Sequence, residues 1–214
     1  EIDPLDQIDK DSFSKGILDK NSECDEALKL LKGDGEQRIQ GLRVFCEYRD
    51  KRSFHLLLPL LDQPCPVERM SAVYALGRNP FPDAVEKLVS LLETDDNAYV
   101  RRATAWSLAN YDNQIVLKPL INALKNDVAA VRLWSSSSLA EIGNVSSKNA
   151  QLAAEQLLIS LKIDNEPGVR SNCIWSLCRL YEKLNNTLQE SFVDECTKIA
   201  LFDKEPSVME EAKT

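Results

Sequence analysis

An arginine-centred segment is written four times in this chain, and no other feature restricts its fold as much. ERMSAVYALG (68–77), VRRATAWSLA (100–109), VRLWSSSSLA (131–140) and VRSNCIWSLC (169–178) place Arg69, Arg101, Arg132 and Arg170 at intervals of 32, 31 and 38 residues. A weaker copy, QRIQGLRVFC (37–46), sets Arg38 a further 31 residues upstream. DKEPSVME (203–210) parallels DNEPGVRS (164–171) at an interval of 39, with Met209 where arginine stands elsewhere. Units of this size cannot each bury a core, so they must stack on their neighbours.

Ahead of each arginine segment runs an apolar stretch at helical spacing, as in VEKLVSLLETD, VLKPLINALKND and AAEQLLISLKID. Leucines three and four apart give each helix one buried stripe. Asp-rich or Pro-containing turns such as Asp95-Asp96-Asn97 and Asp164-Asn165-Glu166-Pro167 separate the helices and supply caps. No period-two alternation of any length occurs, so no sheet is expected. The fold predicted is all-α: a right-handed α-solenoid of stacked helix pairs. Residues 22–214 form one solenoid domain, with five full repeats (22–50, 51–80, 81–111, 112–147, 148–186) and a shortened sixth. Residues 1–21 are an acidic N-terminal arm or a cap on the first repeat.

The pattern D-x(4,5)-V-R-x-x-[AST]-x-x-x-L-[GA] resembles the HEAT repeat, in the variety named for the phycobilisome (bilin) lyases of cyanobacteria, and the resemblance covers nearly the whole chain. Glu68 in place of valine, Met209 in place of arginine and the serine run Ser135 to Ser138 depart from it.

Counting from each repeating arginine shows which side of the second helix packs. Offset seven is Phe45, Leu76, Leu108, Leu139 and Leu177, offset minus one is Val100, Val131 and Val169, and offsets three and eight hold only small residues. At about 100° per residue, offsets minus one, three, four, seven and eight share one face. Cys46, Cys173 and Cys178 fall on it and read as packing thiols. The arginines and the aspartates before them (Asp95, Asp127, Asp164) recur in a way that fits a structural role, and the HEAT resemblance implies that they form a polar ladder between neighbouring repeats.

Offset five lies outside the packed arc yet carries Tyr74, Trp106 and Trp175. Trp134, at offset two, supplies the aromatic in the repeat whose offset five is Ser137. Arg78, Asn110, Glu141 and Arg179 follow at offset nine. Together these eight residues predict an aromatic stripe with a charged border on the concave side of the solenoid. Trp, Tyr and Arg concentrate binding energy at interfaces, so the stripe is the candidate surface for a protein partner.

Composition narrows the function classes. The net charge is −8, and residues 1–36 hold 11 acids against 5 bases. Such a balance disfavours nucleic acid, although Arg38, Arg43, Arg49, Lys51 and Arg52 cluster on the first repeat, where a solvated helix face is the preferred reading. The 6 cysteines show no C-x-x-C pair, the 1 histidine, His55, stands apart from them, and no phosphate loop or metal spacing is present. No catalytic residue and no metal site is therefore expected, and the two sequons, at Asn144 and Asn185, read as chance matches. With no apolar run of membrane-spanning length and no signal pattern, the expected location is the cytoplasm. The chain opens on Glu1 rather than Met, which leaves room for residues before it.

The function expected is a non-catalytic scaffold or chaperone that holds a client protein in the groove, without a cofactor of its own. The family resemblance implies two alternatives. One is a bilin lyase subunit that attaches a phycobilin to a cysteine of a phycobiliprotein, with Trp106 and Trp175 stacking on pyrrole rings and Arg78 and Arg179 meeting propionates. The other is a partner protein in iron-sulphur cofactor assembly. The partners implied are a client protein, a phycobiliprotein or a second HEAT-repeat subunit.

Overall fold

Helix-forming stripes broken by Asp, Asn, Ser and Pro give the elements that the sequence predicts. The structure, a computed structural model, describes residues 20–213, and among these there is no strand. Most of the acidic arm expected over 1–21 lies outside the described residues. The chain divides into two compact units, the first ending at Phe81 and the second beginning at Pro82.

In the first unit a helix over 20–30 (α1) precedes α2 (Gly35–Glu47). Asp34 caps α2 by accepting from the Gln37 backbone N–H, and the Gln37 side chain accepts in return from the Asp34 N–H. A one-turn helix, α3 (Phe54–Leu57), lies between two 3-10 turns, Lys51–Ser53 and Leu58–Asp62. This irregular segment takes the place of the apolar helix expected ahead of the arginine segment in the repeat 51–80. Pro59, which lacks an N–H, sits at the start of the second 3-10 turn. α4 (Pro66–Arg78) then packs on α2 and on the Leu58–Asp62 turn.

The second unit holds three helix pairs and a short final one: α5 (Val85–Thr94) with α6 (Ala98–Leu108), α7 (Leu117–Asn126) with α8 (Ala129–Gly143), α9 (Ser147–Ile163) with α10 (Pro167–Leu180), and α11 (Asn186–Phe202) with α12 (Pro206–Glu211). Asn97, Ser146 and Asn185 accept from the first N–H groups of α6, α9 and α11. Pro167 and Pro206 open α10 and α12, where a missing N–H costs nothing. The second helices lie in a row, α6 on α8, α8 on α10 and α10 on α12, with the first helices packed behind them. No helix among the described residues is long and apolar enough to cross a membrane.

The core follows the predicted offsets. Phe45, Leu76, Leu108, Leu139 and Leu177 are fully buried, and each such side chain contributes roughly 1.5–3 kcal/mol relative to exposure. The arc is wider than predicted, because offset six is buried as well, at Ala75, Ser107, Ser138 and Ser176. Those residues sit where consecutive second helices touch. Ser138 donates to the Ala105 carbonyl at 2.8 Å and Ser176 to the Ser136 carbonyl at 2.9 Å, which satisfies these two buried hydroxyls across the helix contact. One predicted packing residue is not packed: Cys178 at offset eight is exposed, and Cys46 is half-buried. Cys178 lies on α10, which packs against the 6-residue α12.

The ladder forms rung by rung. Arg101 binds Asp127, Arg132 binds Asp164 and Arg170 binds Asp203, each through Nε and a terminal nitrogen at 2.6–2.9 Å. The remaining guanidinium nitrogen of each donates to carbonyls of its own preceding turn. In the first unit Arg38 binds Glu68 in the same way, at 2.7 and 3.1 Å. Glu68 thus departs from the valine pattern because it is the carboxylate of that rung, only 6% exposed. The basic cluster of the first repeat also contracts, since Arg52 binds Asp50 and Asp25.

Candidate functional site

In the second unit, the second helices turn their unpacked sides outward in one row, and the packing itself sets which residues appear there. The buried offsets of α8 and α10 face α7, α9 and each other, leaving offsets two, five and nine at the surface. Trp134 on α8 is 36% exposed and Trp175 on α10 is 39% exposed. Trp106 on α6 is half-buried, so the ring expected to be displayed keeps only part of its surface open. Asn110 is exposed beyond the end of α6, and its amide lies 3.4 Å from the Ser107 carbonyl.

Three of the predicted residues meet directly. The Arg179 guanidinium lies over the Trp175 ring, 4.9 Å from its centroid, and its Nη2 is 2.8 Å from Glu141 Oε1 on α8. Spacing accounts for half of this, because Trp175 and Arg179 are four apart on one helix, and stacking of α8 on α10 supplies the rest. Both ion-pair partners are over 40% exposed, so the contact orients the groups more than it stabilises the fold. A cation over an exposed indole adds about 0.5–1 kcal/mol. A ligand can therefore take over either contact at small cost.

Beside Trp175 lies a shallow pocket of about 280 Å³ lined by Ser137, Ser171, Asn172, Trp175 and Glu211. Asn172 holds one wall in place: its amide donates to the Leu133 carbonyl at 2.9 Å and to the Ser137 hydroxyl. Sequence reasoning passed over Asn172 and Glu211. Asn172 occupies the same offset as Trp134, and a polar residue at a position that is aromatic one repeat earlier was the available signal.

Tyr74 and Arg78 belong to the first unit. Tyr74 is half-buried, and Arg78 is exposed with its Nε donating to the Cys46 carbonyl at 3.2 Å. That bond ties α4 to α2, a structural use the sequence reading did not foresee.

Burial pushes the Cys46 thiol up to about 11 and the Cys196 thiol up to about 12, and it raises Cys24, Cys173 and Cys178 too, so these groups are protonated at neutral pH. His55 is exposed on α3, edge-on to Phe54 at 5.2 Å. Among the described residues no group of three or more His, Cys, Asp or Glu is placed to hold a metal ion. What the surface offers is an indole face, a guanidinium, a carboxylate and an amide pocket within two adjacent helices.

Comparison with known proteins agrees with the architecture. A family profile described as HEAT repeats matches residues 25–109 and 85–178. No curated protein matches the chain. Among solved structures it resembles an engineered protein at 20% identity, with 88% of this chain and 96% of that one covered and a TM-score of 0.66. It also resembles a designed armadillo repeat protein at 19% identity, 89% and 97% coverage and a TM-score of 0.63. A second designed armadillo repeat protein, in complex with the peptide (KR)4, matches at 18% identity, 89% and 96% coverage and a TM-score of 0.64.

Proposed function

Since the chain belongs to the HEAT-repeat family, we propose that it is a non-catalytic scaffold that holds another protein against the outward side of its second helices. The observation that carries this reading is the Trp175, Arg179 and Glu141 cluster, with Trp134 exposed on the neighbouring helix. Large rings at the surface of a soluble chain forgo burial, and they repay it when a partner desolvates them. The pocket at Asn172 and Ser137 accommodates a side chain next to the indole. A fold of this kind binding the basic peptide (KR)4 supports a segment-in-groove mode.

The test is a pull-down from the source organism with the wild-type chain beside Trp175→Ala and Trp134→Ala. A client retained by the wild type and lost with either variant, at unchanged helicity, supports the reading. Retention of the same proteins by all three contradicts it. The indole and guanidinium pairing also suits a linear tetrapyrrole with propionates, as the lyase resemblance implies. A red-shifted visible spectrum with induced circular dichroism on mixing with free bilin would move the assignment to that class.

A further inference from the structure

Two grooves of the second unit occupy the same place in the repeat and are lined differently. One lies between the first helices α5 and α7, has a volume of about 350 Å³ and includes Glu93, Asn122, Asn126 and Val128 in its walls. The other lies between α9 and α11, has a volume of about 440 Å³ and includes Lys162, Ile163, Lys198, Phe202 and Lys204. A rung of the ladder lines each, Arg101 with Asp127 in the first and Arg170 with Asp203 in the second.

Counting from the ladder aspartates aligns the two. Lys162 takes the place of Glu93, Ile163 of Thr94, Lys198 of Asn122, Phe202 of Asn126 and Lys204 of Val128. The earlier groove forms the same rung without any of these five, so the ladder does not require them. The position directly before the ladder aspartate is exposed in all four repeats, at Thr94, Asn126, Ile163 and Phe202. The groove between α5 and α7 is open although α9 packs beyond α7, so openness belongs to the position within the repeat. Polar residues suit such a position, and Ile163 at 72% and Phe202 at 79% exposed forgo burial there.

Charge changes sign between the grooves. Apart from the rung, the earlier one carries only Glu93, whereas the later one carries three lysines against Glu195 and Glu205, with Asp164 neutralised by Arg132. Glu195 is shared, 3.9 Å from Lys162 and 3.5 Å from Lys198. Lys204 is exposed, and among the described residues its ammonium makes no ion pair. In a chain of net charge −8, an excess of ammonium groups beside two exposed apolar side chains favours an acidic partner at this place alone.

We propose that the groove between α9 and α11 is a docking site for an extended acidic segment of another protein. One large apolar side chain of that segment sits between Ile163 and Phe202, and its flanking carboxylates meet Lys162, Lys198 and Lys204. The contact uses first helices and their turns, so it does not rest on the Trp175 surface of the second helices.

The probe is a fluorescein-labelled peptide of about 12 residues with a central leucine and phenylalanine between glutamate runs, beside the same peptide with lysine runs. The glutamate peptide is expected to bind saturably in the range of roughly 10–100 μM, at least about tenfold more tightly than the lysine peptide, and to weaken as salt is raised. Lys198→Glu or Phe202→Ser is expected to cost about tenfold in affinity, while Asn126→Ala in the earlier groove and Trp175→Ala leave it unchanged. All four side chains are exposed, so the variants keep the fold, which circular dichroism checks. Absence of saturable binding, equal affinity for both peptides, or indifference to Lys198→Glu overturns the proposal. Loss of binding with Trp175→Ala overturns it too, by placing the peptide on the second helices. So does a dimer in sedimentation velocity that Phe202→Ser dissociates, or capture by phosphatidylserine vesicles without binding of the glutamate peptide, assigning the edge to a second copy or to a bilayer.

Discussion

Arg132 and Asp164, 32 residues apart in sequence, face each other through two parallel hydrogen bonds of 2.7 Å, one from Nε and one from Nη2. The third donor, Nη1, reaches the Asp127 carbonyl at 2.9 Å, so one guanidinium ties its own turn to the next repeat. The Asp164 side chain is 5% exposed, and removal of its partner strands a carboxylate away from water. Arg132→Met is expected to lower stability by about 2–4 kcal/mol in urea unfolding. Arg132→Lys recovers little, because an ammonium cannot make the fork. Equal stability of the lysine variant and the wild type would contradict this account of the rung.

The last rung makes stability pH-dependent. Burial raises the Asp203 carboxyl, but hydrogen bonds from Arg170 and from the Glu205 and Lys204 backbone outweigh it and hold the group below the usual carboxylate range. Its contribution is complete above the unfolded value near pH 4, and is lost as pH falls through the lower folded value. The melting temperature is therefore expected to drop as pH falls below about 5, with a shallower drop in Asp203→Asn. Parallel curves for the two proteins would show that the rung titrates elsewhere.

How far the sequence carries is clearest at the ladder and weakest at the surface. Arg101, Arg132 and Arg170 each bind the aspartate of the following repeat, and a contact that recurs from repeat to repeat is written as a period. Glu68 looked like a broken valine until its partner Arg38, 30 residues upstream, gave it a role. Offset six was missed because Ser107, Ser138 and Ser176 are polar by type, yet each is buried where second helices meet. Trp106 and Trp175 share an offset, but the first is half-buried and the second exposed. A position on a helix sets direction, whereas exposure depends on what the next repeat lays beside it.

Gly41 offers a contest between two effects of known sign. In α2 alanine is preferred to glycine by about 1 kcal/mol. A Cβ there would stand 2.9 Å from the Ala27 carbonyl oxygen of α1 and 3.2 Å from the Leu30 Cβ and Leu31 Cδ2 atoms. Backbone cannot swing aside as a side-chain tip can, and overpacking of this kind costs about 1–3 kcal/mol. Gly41→Ala is expected to be destabilising on balance, and a raised melting temperature would show that α1 moves freely.

Exposure ranks the tryptophans by what each does. Trp175→Ala is expected to lower stability less than Trp106→Ala, since Trp175 is 39% exposed and its cation partner is itself exposed. Trp106→Ala, taking a half-buried ring from α6, should cost about 1–3 kcal/mol by the same denaturation assay. The reverse order would place the structural ring at Trp175 and remove it from the binding surface.

The central claim, that a client lies on the outward side of the second helices, is tested most directly by site-specific photo-crosslinking. A benzophenone residue is placed at Glu141, beside Arg179 on that surface, and in a second protein at Glu155, exposed on the first helix α9. The account predicts a discrete crosslinked client from position 141, lost with Trp175→Ala, and none from position 155. Crosslinks from 155 alone, or of equal yield from both, would contradict it.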